Sequence, residues 1–193
     1  MTGAATARSV AIRDAALELF VTHGYEATSM GEIGARVGIR GPSLYKHVTS
    51  KQELLAEIAI GTMDALLAEH RRAITGTADP TERLRRAVEA HVRYHARHRR
   101  EAFVGNREIR SLTEPYLTEV LSRRAEYARH FRSLIAQGVA EGRFQVTSER
   151  IASYAILDLG MGVATWFRED GELSENEIVW QYVDFALRLV GAR

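Results

Sequence analysis

Residues 28–51 constrain the fold more than any other stretch, because their signals leave room only for two short helices joined by a sharp turn. Ser29 is followed three residues later by Glu32, the signature of a capping box, so a helix is predicted to begin at Ser29. Gly38 ends that helix, since glycine adopts the left-handed backbone conformation at little cost. Pro42 then fits the first turn of a second helix, where its missing amide hydrogen costs no helical bond.

The second helix is expected to run from Arg40 to His47, with Leu44 and Val48 facing the core. Its outward face carries hydroxyls and cations, which reach base edges and phosphate oxygens when a helix lies in the DNA major groove. Lys51 opens the next helix, where a phosphate would also meet free backbone amides. The predicted DNA-binding residues are Thr28, Ser29, Arg40, Gly41, Pro42, Ser43, Tyr45, Lys46, His47 and Lys51. Since helical hairpins are common, a hairpin inside some other all-helical protein is the alternative.

The segment from Ile12 to Leu55 resembles the N-terminal domain of the TetR family of bacterial transcriptional regulators. The resemblance rests on ALELFVTHGYEATSMGEIGARVGI and SLYKHVTSKQELL, which hold a Gly-Tyr helix end, a Thr-Ser helix start, a glycine turn and a Leu-Tyr pair. It implies a homodimer that binds a palindromic double-stranded DNA operator, usually as a repressor, and that leaves it when a small-molecule effector enters a C-terminal domain. Val48 stands where family members commonly carry an aromatic residue, so lighter packing is expected beneath the second helix.

Composition excludes several classes of protein. The chain has no cysteine, which excludes disulfides and thiolate metal sites. No apolar run approaches the ~20 residues of a membrane-spanning helix, and residues 1–8 lack the apolar core of a signal peptide, so we expect a cytoplasmic protein without a membrane partner. We predict an all-α fold of about nine helices, with a helix-turn-helix DNA-binding domain at residues 1–50 and a larger helical ligand-binding and dimerisation domain at residues 51–193.

Catalytic and metal-binding functions find little support in the sequence. There is no glycine-rich phosphate loop and no paired catalytic motif, so no enzyme is predicted. His91, His95 and His98 would share one helix face at a spacing acceptable for a metal, but no carboxylate joins them and nearby arginines oppose a cation. We therefore predict neither a metal nor a cofactor. A non-specific architectural DNA-binding protein or a helical scaffold is the alternative to a regulator.

Two late helices carry more apolar surface than one small core can cover. The helix predicted at residues 147–168 is apolar nearly all round, and its Gly160 and Gly162 suggest close helix approach. Ser174 and Glu177 form a capping box that opens the last helix. A homodimer that joins both helices of each subunit in a four-helix bundle would cover the excess. The predicted interface residues are Asp158, Gly162, Val179, Tyr182, Phe185, Ala186 and Leu189.

The run GVATWFREDGELS, which begins at Gly162, resembles TetR-family regulators of fatty-acid and steroid breakdown that respond to acyl-coenzyme A thioesters. Arginines in the middle of the chain would suit the phosphates of such an effector, and aromatic side chains its acyl part. The predicted ligand-binding residues are Tyr94, His98, Phe103, Arg107, Tyr116, Arg124, Tyr127, Phe131, Trp166 and Phe167. For each aromatic residue the alternative is an ordinary place in the core.

Overall fold

The computed structural model describes residues 2–39 and 41–192. Over those ranges the chain forms eight α-helices, two short 3-10 helices and no strand, so the predicted all-α class is confirmed. In chain order the elements are α1 (Thr2–His23), α2 (Met30–Arg36), η1 (Gly41–Lys46), α3 (Lys51–Ala73), α4 (Pro80–Arg97), α5 (Arg99–Arg107), η2 (Ile109–Ser111), α6 (Tyr116–Ala140), α7 (Glu149–Trp166) and α8 (Glu175–Leu189).

The chain divides into two compact units that do not follow chain order. The N-terminal unit comprises the residues up to 62 together with residues 100–121, and the C-terminal unit comprises residues 63–99 together with the chain from residue 122 onward. Helices α3 and α6 therefore each contribute residues to both units. The predicted domain boundary between residues 50 and 51 separates a DNA-binding domain from a ligand-binding and dimerisation domain. It is defined by function and not by packing, so it stays a prediction.

The core of the N-terminal unit is built on one face of α1. Ile12, Ala16 and Phe20 recur at helical spacing and are at most 1% exposed. Onto this face pack apolar side chains of α2, η1, α3 and the 100–121 segment, among them Ile33, Leu44, Val48, Leu55, Ile58, Val104 and Leu112. Full burial of such a side chain contributes about 1.5–3 kcal/mol, so this shared core holds the two short helices in place.

The C-terminal unit is centred on α4, which packs against α7 and α8. Leu84 and Val92 of α4 and Phe131 of α6 are at most 1% exposed. Gly138 lies against Phe144, because a Cβ at position 138 would come within 2.0 Å of that aromatic ring. The chain after α6 turns back at Gly142, which has a φ of +69° that favours glycine.

Candidate DNA-reading surface and effector region

Helix α2 begins and ends where the sequence signals predicted. Ser29 is the N-cap: its hydroxyl accepts from the Glu32 amide at 3.2 Å, and the Glu32 carboxylate accepts from the Ser29 amide at 2.7 Å. The hydrogen bonds from Ser29 hold the pKa of the Glu32 carboxyl below its usual range. The helix ends at Arg36, and Gly38 follows with a φ of +69°. The capping box and the glycine turn are thus confirmed.

Gly34 brings α2 close to the segment that follows the turn. A Cβ at position 34 would lie 2.6 Å from the carbonyl oxygen of Ile39 and 3.3 Å from a methyl carbon of Leu44. The Ile39 amide donates to the Gly34 carbonyl at 2.8 Å, which fixes the same approach. This role was not predicted from the sequence. The only indication in the sequence was a glycine inside a short helix. Glycine lowers helix stability, so its presence there indicates that close packing excludes a side chain.

The second helix of the motif is the 3-10 helix η1 and not the predicted α-helix. It spans six residues, and the amide of His47 donates to the carbonyl of Leu44 at 2.9 Å. Gly41, Pro42 and Ser43 are poor α-helix formers, which favours a short, tightly wound segment. Arg40, the first predicted contact of this helix, lies outside the described residues.

The exposed surface of η1 and of the residue that follows it carries half of the predicted DNA contacts. Leu44 is 3% exposed and Val48 4% exposed, so both face the core as predicted, and Val48 fills its place without an aromatic ring. The residues directed to solvent are Pro42, Ser43, Tyr45, Lys46 and His47. Tyr45 is 56% exposed, so both its ring and its hydroxyl are accessible to a partner. This surface combines two hydroxyls and a cation on η1 with the imidazole of His47, the next residue.

Two of the predicted contacts are directed into the protein. Thr28 is 2% exposed and its hydroxyl donates to the Gly24 carbonyl at 2.8 Å, so the side chain has a structural bond within the protein, and its contact with DNA stays a prediction. The ammonium of Lys51 donates to the carbonyls of Tyr25 at 2.7 Å and of Thr28 at 2.8 Å, and it lies 4.2 Å from the centre of the Tyr25 ring. These bonds give the Lys51 ammonium a structural role, and its phosphate contact stays a prediction. Its partners lie 26 and 23 residues earlier, where spacing along the sequence does not point to them.

The predicted interface residues separate into exposed and buried groups. Asp158 is exposed, Gly162 and Tyr182 are half-buried, and Phe185 and Leu189 are exposed. Val179 and Ala186 are instead 5% and 1% exposed, because that side of α8 faces the chain's own core. Their side chains pack mainly within the chain's own core, and their assignment to a dimer interface stays a prediction.

An exposed apolar stripe connects α7 and α8. On α7 the sequence analysis missed two of its members, Ile151 and Leu159, which are 65% and 41% exposed and lie on the same helix face as Trp166. The Trp166 ring lies 6.4 Å from Tyr182 of α8, and Tyr182 lies 6.1 Å from Phe185. We call this surface the α7–α8 stripe: Ile151, Leu159, Trp166, Tyr182, Phe185 and Leu189. Helical periodicity of the exposed residues was its only signal in the sequence.

The predicted ligand-binding residues are divided between the two units. Phe103, Arg107 and Tyr116 belong to the N-terminal unit, where the Arg107 guanidinium lies 5.4 Å from the Phe103 ring. The remaining residues belong to the C-terminal unit: Tyr94, His98, Arg124, Tyr127, Phe131, Trp166 and Phe167. Burial lowers the pKa of the half-buried Arg124 guanidinium.

Several of these aromatic residues belong to the protein's own core. Phe131 is 0% and Phe167 is 4% exposed, and both sit in the core of the C-terminal unit. For Phe131 and Phe167, the structure shows the alternative given above, an ordinary place in the core. Trp166 is 45% exposed and belongs to the α7–α8 stripe. An aromatic residue at helical spacing gives the same signal in a core and in a pocket, so the ligand-binding roles of these residues stay predictions.

Buried histidines lie beside Phe131 in the C-terminal unit. His91 Nε2 is 3.0 Å from the Leu157 carbonyl, which only accepts, so Nε2 carries the hydrogen. Its Nδ1 then accepts from the Tyr127 hydroxyl at 3.0 Å. His95 Nδ1 donates to the His91 carbonyl at 2.8 Å. Burial lowers the pKa of His95 to about 4 and holds the pKa of His91 well below its ordinary value, so both rings are neutral near pH 7.

The three histidines considered as a metal site do not converge. His91 and His95 are each 2% exposed, whereas His98 is exposed and lies against Tyr94 with ring centres 4.6 Å apart. Among the residues that the structure describes, no group of three or more histidine, aspartate or glutamate side chains is arranged to hold a metal.

A surface groove of about 480 Å³ lies along α4. Its volume falls within the ~300–1,000 Å³ range of small-molecule sites. Of the predicted ligand-binding residues, Tyr94 and His98 line it, next to Arg85, Arg86, Arg93 and Arg97. The arginines are paired within the protein: Arg85 with Glu82 at 2.6 Å and Arg97 with Glu175 at 2.7 Å, for example. A polyanionic ligand would have to share these guanidinium groups with glutamates.

A capped short helix, a glycine turn and an exposed cationic helix on a common core, followed by a separate helical unit, define a helix-turn-helix DNA-binding regulator. A family model described as bacterial regulatory proteins, tetR family, matches residues 12–58. A second model, described as tetracyclin repressor-like, C-terminal domain, matches residues 77–190. The chain belongs to the TetR family of bacterial transcriptional regulators. It is therefore a regulator and not an enzyme, as predicted.

Relatives match over nearly the whole chain. A regulatory protein of the tetR family from Rhodococcus RHA1 is 32% identical, with a TM-score of 0.91 over 96% of this chain and 98% of its own. The transcriptional repressor KstR2 of Mycobacterium tuberculosis is 26% identical over 187 residues, 96% of this chain and 94% of the relative. AibR, crystallised with isovaleryl coenzyme A and operator DNA, shares the fold at 24% identity, with a TM-score of 0.85 over 96% of this chain and all of its own. No helix in the described part of this chain is long and apolar enough to cross a membrane.

Proposed function

We propose that the protein is a homodimeric repressor that binds a palindromic operator and is released by an acyl-coenzyme A thioester. The observation that carries the DNA-binding part is the solvent-facing set of Ser43, Tyr45 and Lys46 on η1 and His47 directly after it. Leu44 fixes this helix to the core of the N-terminal unit. Hydroxyls and a cation on a rigid helix suit phosphate oxygens and base edges. Ser29 and the backbone of Gly41 and Pro42 complete the proposed contact surface, within a DNA-binding domain at residues 1–50.

The dimer is proposed to form through the α7–α8 stripe. Its side chains include Trp166, Phe185 and Leu189, with exposed fractions of 45%, 47% and 37%. Contiguous exposed apolar patches on soluble proteins mark interaction sites, and a two-fold axis lets one patch cover its own copy. Asp158 and Gly162 lie on the same face of α7 and belong to the proposed interface. Two subunits related in this way can present their reading helices to successive major grooves, which are about 34 Å apart.

The effector is proposed from the relatives and from the chain's own side chains. AibR was crystallised with an acyl-coenzyme A, and KstR2 is named as a ketosteroid regulator. In this chain Tyr94, His98 and the half-buried Arg124 offer aromatic and cationic contacts in the C-terminal unit. Binding of the thioester releases the operator only to the extent that it prefers the conformation with lower DNA affinity. Operator binding assigns the protein to the bacterial cytoplasm, where the chromosome is.

The test is a binding titration on the promoter region beside the protein's own gene. Fluorescence anisotropy with that fragment, in excess competitor DNA, is expected to give a specific complex of two or four subunits. Equal competition by random DNA would favour the alternative, an architectural DNA-binding protein. The complex is then titrated with a panel of acyl-coenzyme A thioesters of different acyl size, with free coenzyme A as the control. If no thioester lowers operator affinity or raises the melting temperature, the effector assignment is wrong, while the DNA-binding assignment stands.

A further inference from the structure

The side-chain amide of Gln52 uses its whole hydrogen-bonding capacity inside the N-terminal unit. Gln52 is the second residue of α3 and is half-buried. Its Nε2 donates to the Tyr25 hydroxyl at 2.7 Å and to the Ser111 carbonyl at 2.6 Å. Its Oε1 accepts from the Thr113 amide at 3.0 Å and from the Thr113 hydroxyl at 3.2 Å. A primary amide has two N–H donors and one oxygen with two lone pairs, so these four bonds saturate it.

Tyr25 connects this amide to the start of α2. The Tyr25 ring packs on Phe20 with ring centres 5.3 Å apart, and its carbonyl accepts from Lys51. The same Lys51 ammonium donates to the carbonyl of Thr28, the residue before the Ser29 N-cap. The first two residues of α3 therefore hold both the loop after α1 and the point where α2 begins.

Ser111 and Thr113 come from a distant part of the chain. They follow Gln52 by 59 and 61 residues. The 100–121 segment that contains them packs within the N-terminal unit, although the chain on both sides of it belongs to the C-terminal unit. The chain connects the C-terminal unit to the N-terminal unit at the two ends of this segment and within α3. A conformational change of the C-terminal unit can therefore reach the N-terminal unit along these connections. The loop at residues 111–113 lies within this segment, between its two covalent connections to the C-terminal unit, and the Gln52 side chain is hydrogen-bonded to it.

From these contacts we infer that Gln52 is a positioning residue for operator binding, which couples the 111–113 loop to the loop that carries α2. The inference rests on the DNA-binding function proposed above. Hydrogen bonds are directional, so a shift of the 111–113 loop draws the amide with it or breaks its bonds. Because the same Nε2 also holds Tyr25, the support of α2 changes with the position of that loop. Operator affinity then depends on the conformation of the connection between α5 and α6.

The chain offers a conservative variant and a matched control. Gln52→Glu keeps an acceptor for Thr113 and lets the Tyr25 hydroxyl donate, but it loses the donation to Ser111. Gln52→Ala loses all four bonds. Gln137 is the control, because it is also half-buried and its side chain bonds Arg83 and Glu141 within the C-terminal unit. Gln137→Ala removes the same type of side chain without touching the loop at residues 111–113.

The first measurement is operator affinity by fluorescence anisotropy, on the promoter fragment that the wild-type dimer binds. Gln52→Ala is expected to weaken binding about tenfold, which corresponds to about 1.4 kcal/mol. Gln52→Glu is expected to recover part of that loss, and Gln137→Ala to stay within about twofold of wild type. A folded Gln52→Ala protein with wild-type affinity would overturn the inference. If the wild type itself binds no specific fragment, the proposed function fails instead, before any variant is made.

The second measurement separates coupling from a local loss of structure. Amide hydrogen exchange, followed by mass spectrometry, is expected to become faster in Gln52→Ala at both residues 25–33 and residues 111–117. Faster exchange in only one of the two segments would show that the amide does not couple them and would overturn the inference. If Gln52→Ala does not fold, Tyr25→Phe replaces it, since it removes only the hydroxyl bonded to Gln52. Reduced operator affinity with faster exchange in both segments is then expected, and wild-type values would contradict the inference.

Discussion

The imidazole of His91 occupies the space that a side chain at position 160 would need. A Cβ added to Gly160 would lie 2.2 Å from Cδ2 and 2.6 Å from Nε2 of His91. That nitrogen donates to the Leu157 carbonyl at 3.0 Å, about one turn earlier in α7, so the ring cannot move away without losing the bond. The close approach of α4 and α7 therefore depends on glycine at this position, which explains the glycine inside an apolar helix.

Gly160→Ala is expected to destabilise the protein by roughly 1–3 kcal/mol, the usual cost of overpacking a core. Urea unfolding measures the change. The control is Gly61→Ala in α3, where an added Cβ meets nothing within 4 Å. There the loss of glycine's backbone freedom should stabilise the fold by about 0.5–1 kcal/mol. Equal effects at the two positions would show that His91 does not set the requirement for glycine.

Stability is expected to fall in weak acid because neutral histidines are buried. Burial lowers the pKa of His70 and of His95 to about 4, from an ordinary value of 6.5. As the pH falls below about 6.5, these two histidines become protonated in the unfolded chain. In the folded chain they stay neutral until about pH 4. The unfolded state thus binds more protons across this window. The contribution of these histidines to stability is therefore fully present above pH 6.5. The free energy of unfolding decreases as the pH falls from there toward pH 4.

The contribution of one such histidine is at most about 3 kcal/mol at the acid end of the window. Urea unfolding of the wild type and of His95→Gln between pH 4.5 and 7.5 measures it. The variant is expected to be less stable near neutrality, because a packed ring is lost, and to lose less stability on acidification. Parallel curves for the two proteins would mean that His95 does not contribute to the acid sensitivity.

The two flanks of α8 should respond differently to a charge. Phe185 lies in the α7–α8 stripe, whereas Trp180 is 72% exposed on another flank, beside Val183 and Leu187. Phe185→Glu is expected to raise the dimer dissociation constant at least about tenfold, because a buried unpaired carboxylate is costly. Trp180→Glu is the matched control and should leave the dimer intact. Analytical ultracentrifugation measures both, and a monomeric Trp180→Glu protein would move the interface to the other flank.

Replacing Lys46 should weaken DNA binding in a salt-dependent way. If Lys46 neutralises a phosphate in each subunit, Lys46→Ala removes about one counterion per contact from the slope of log affinity against log salt. Arg132→Ala, an exposed cation of α6, is the control for net charge. Titrations at several salt concentrations measure the slope. Identical slopes for Lys46→Ala and wild type would remove Lys46 from the contact surface.

Tyr45 tests the same surface without a change in charge. Its side chain is 56% exposed, so Tyr45→Ala should leave the melting temperature nearly unchanged while operator affinity falls severalfold. Differential scanning fluorimetry and anisotropy measure the two quantities. Unchanged affinity would leave Tyr45 without a role in DNA binding.

Features set by neighbours in the sequence were predictable. The capping box of Ser29 and Glu32 and that of Ser174 and Glu177 are both present, because each needs only residues three apart and a helical backbone. Gly38 adopts a positive φ for the same local reason. The all-helical class and the helix-turn-helix motif therefore followed from the sequence, and the family followed from the resemblance carried by residues 12–55.

Tertiary structure decided which side of each helix is used. Helix α8 is apolar on several sides, and only its packing against α4 buries Val179 and Ala186 while leaving Phe185 exposed. Thr28 and Lys51 carry groups that suit DNA, but nearby carbonyls take their hydrogen bonds. A sequence records which groups a side chain offers. The partner that meets it comes from residues far along the chain, and only the folded packing brings the two together.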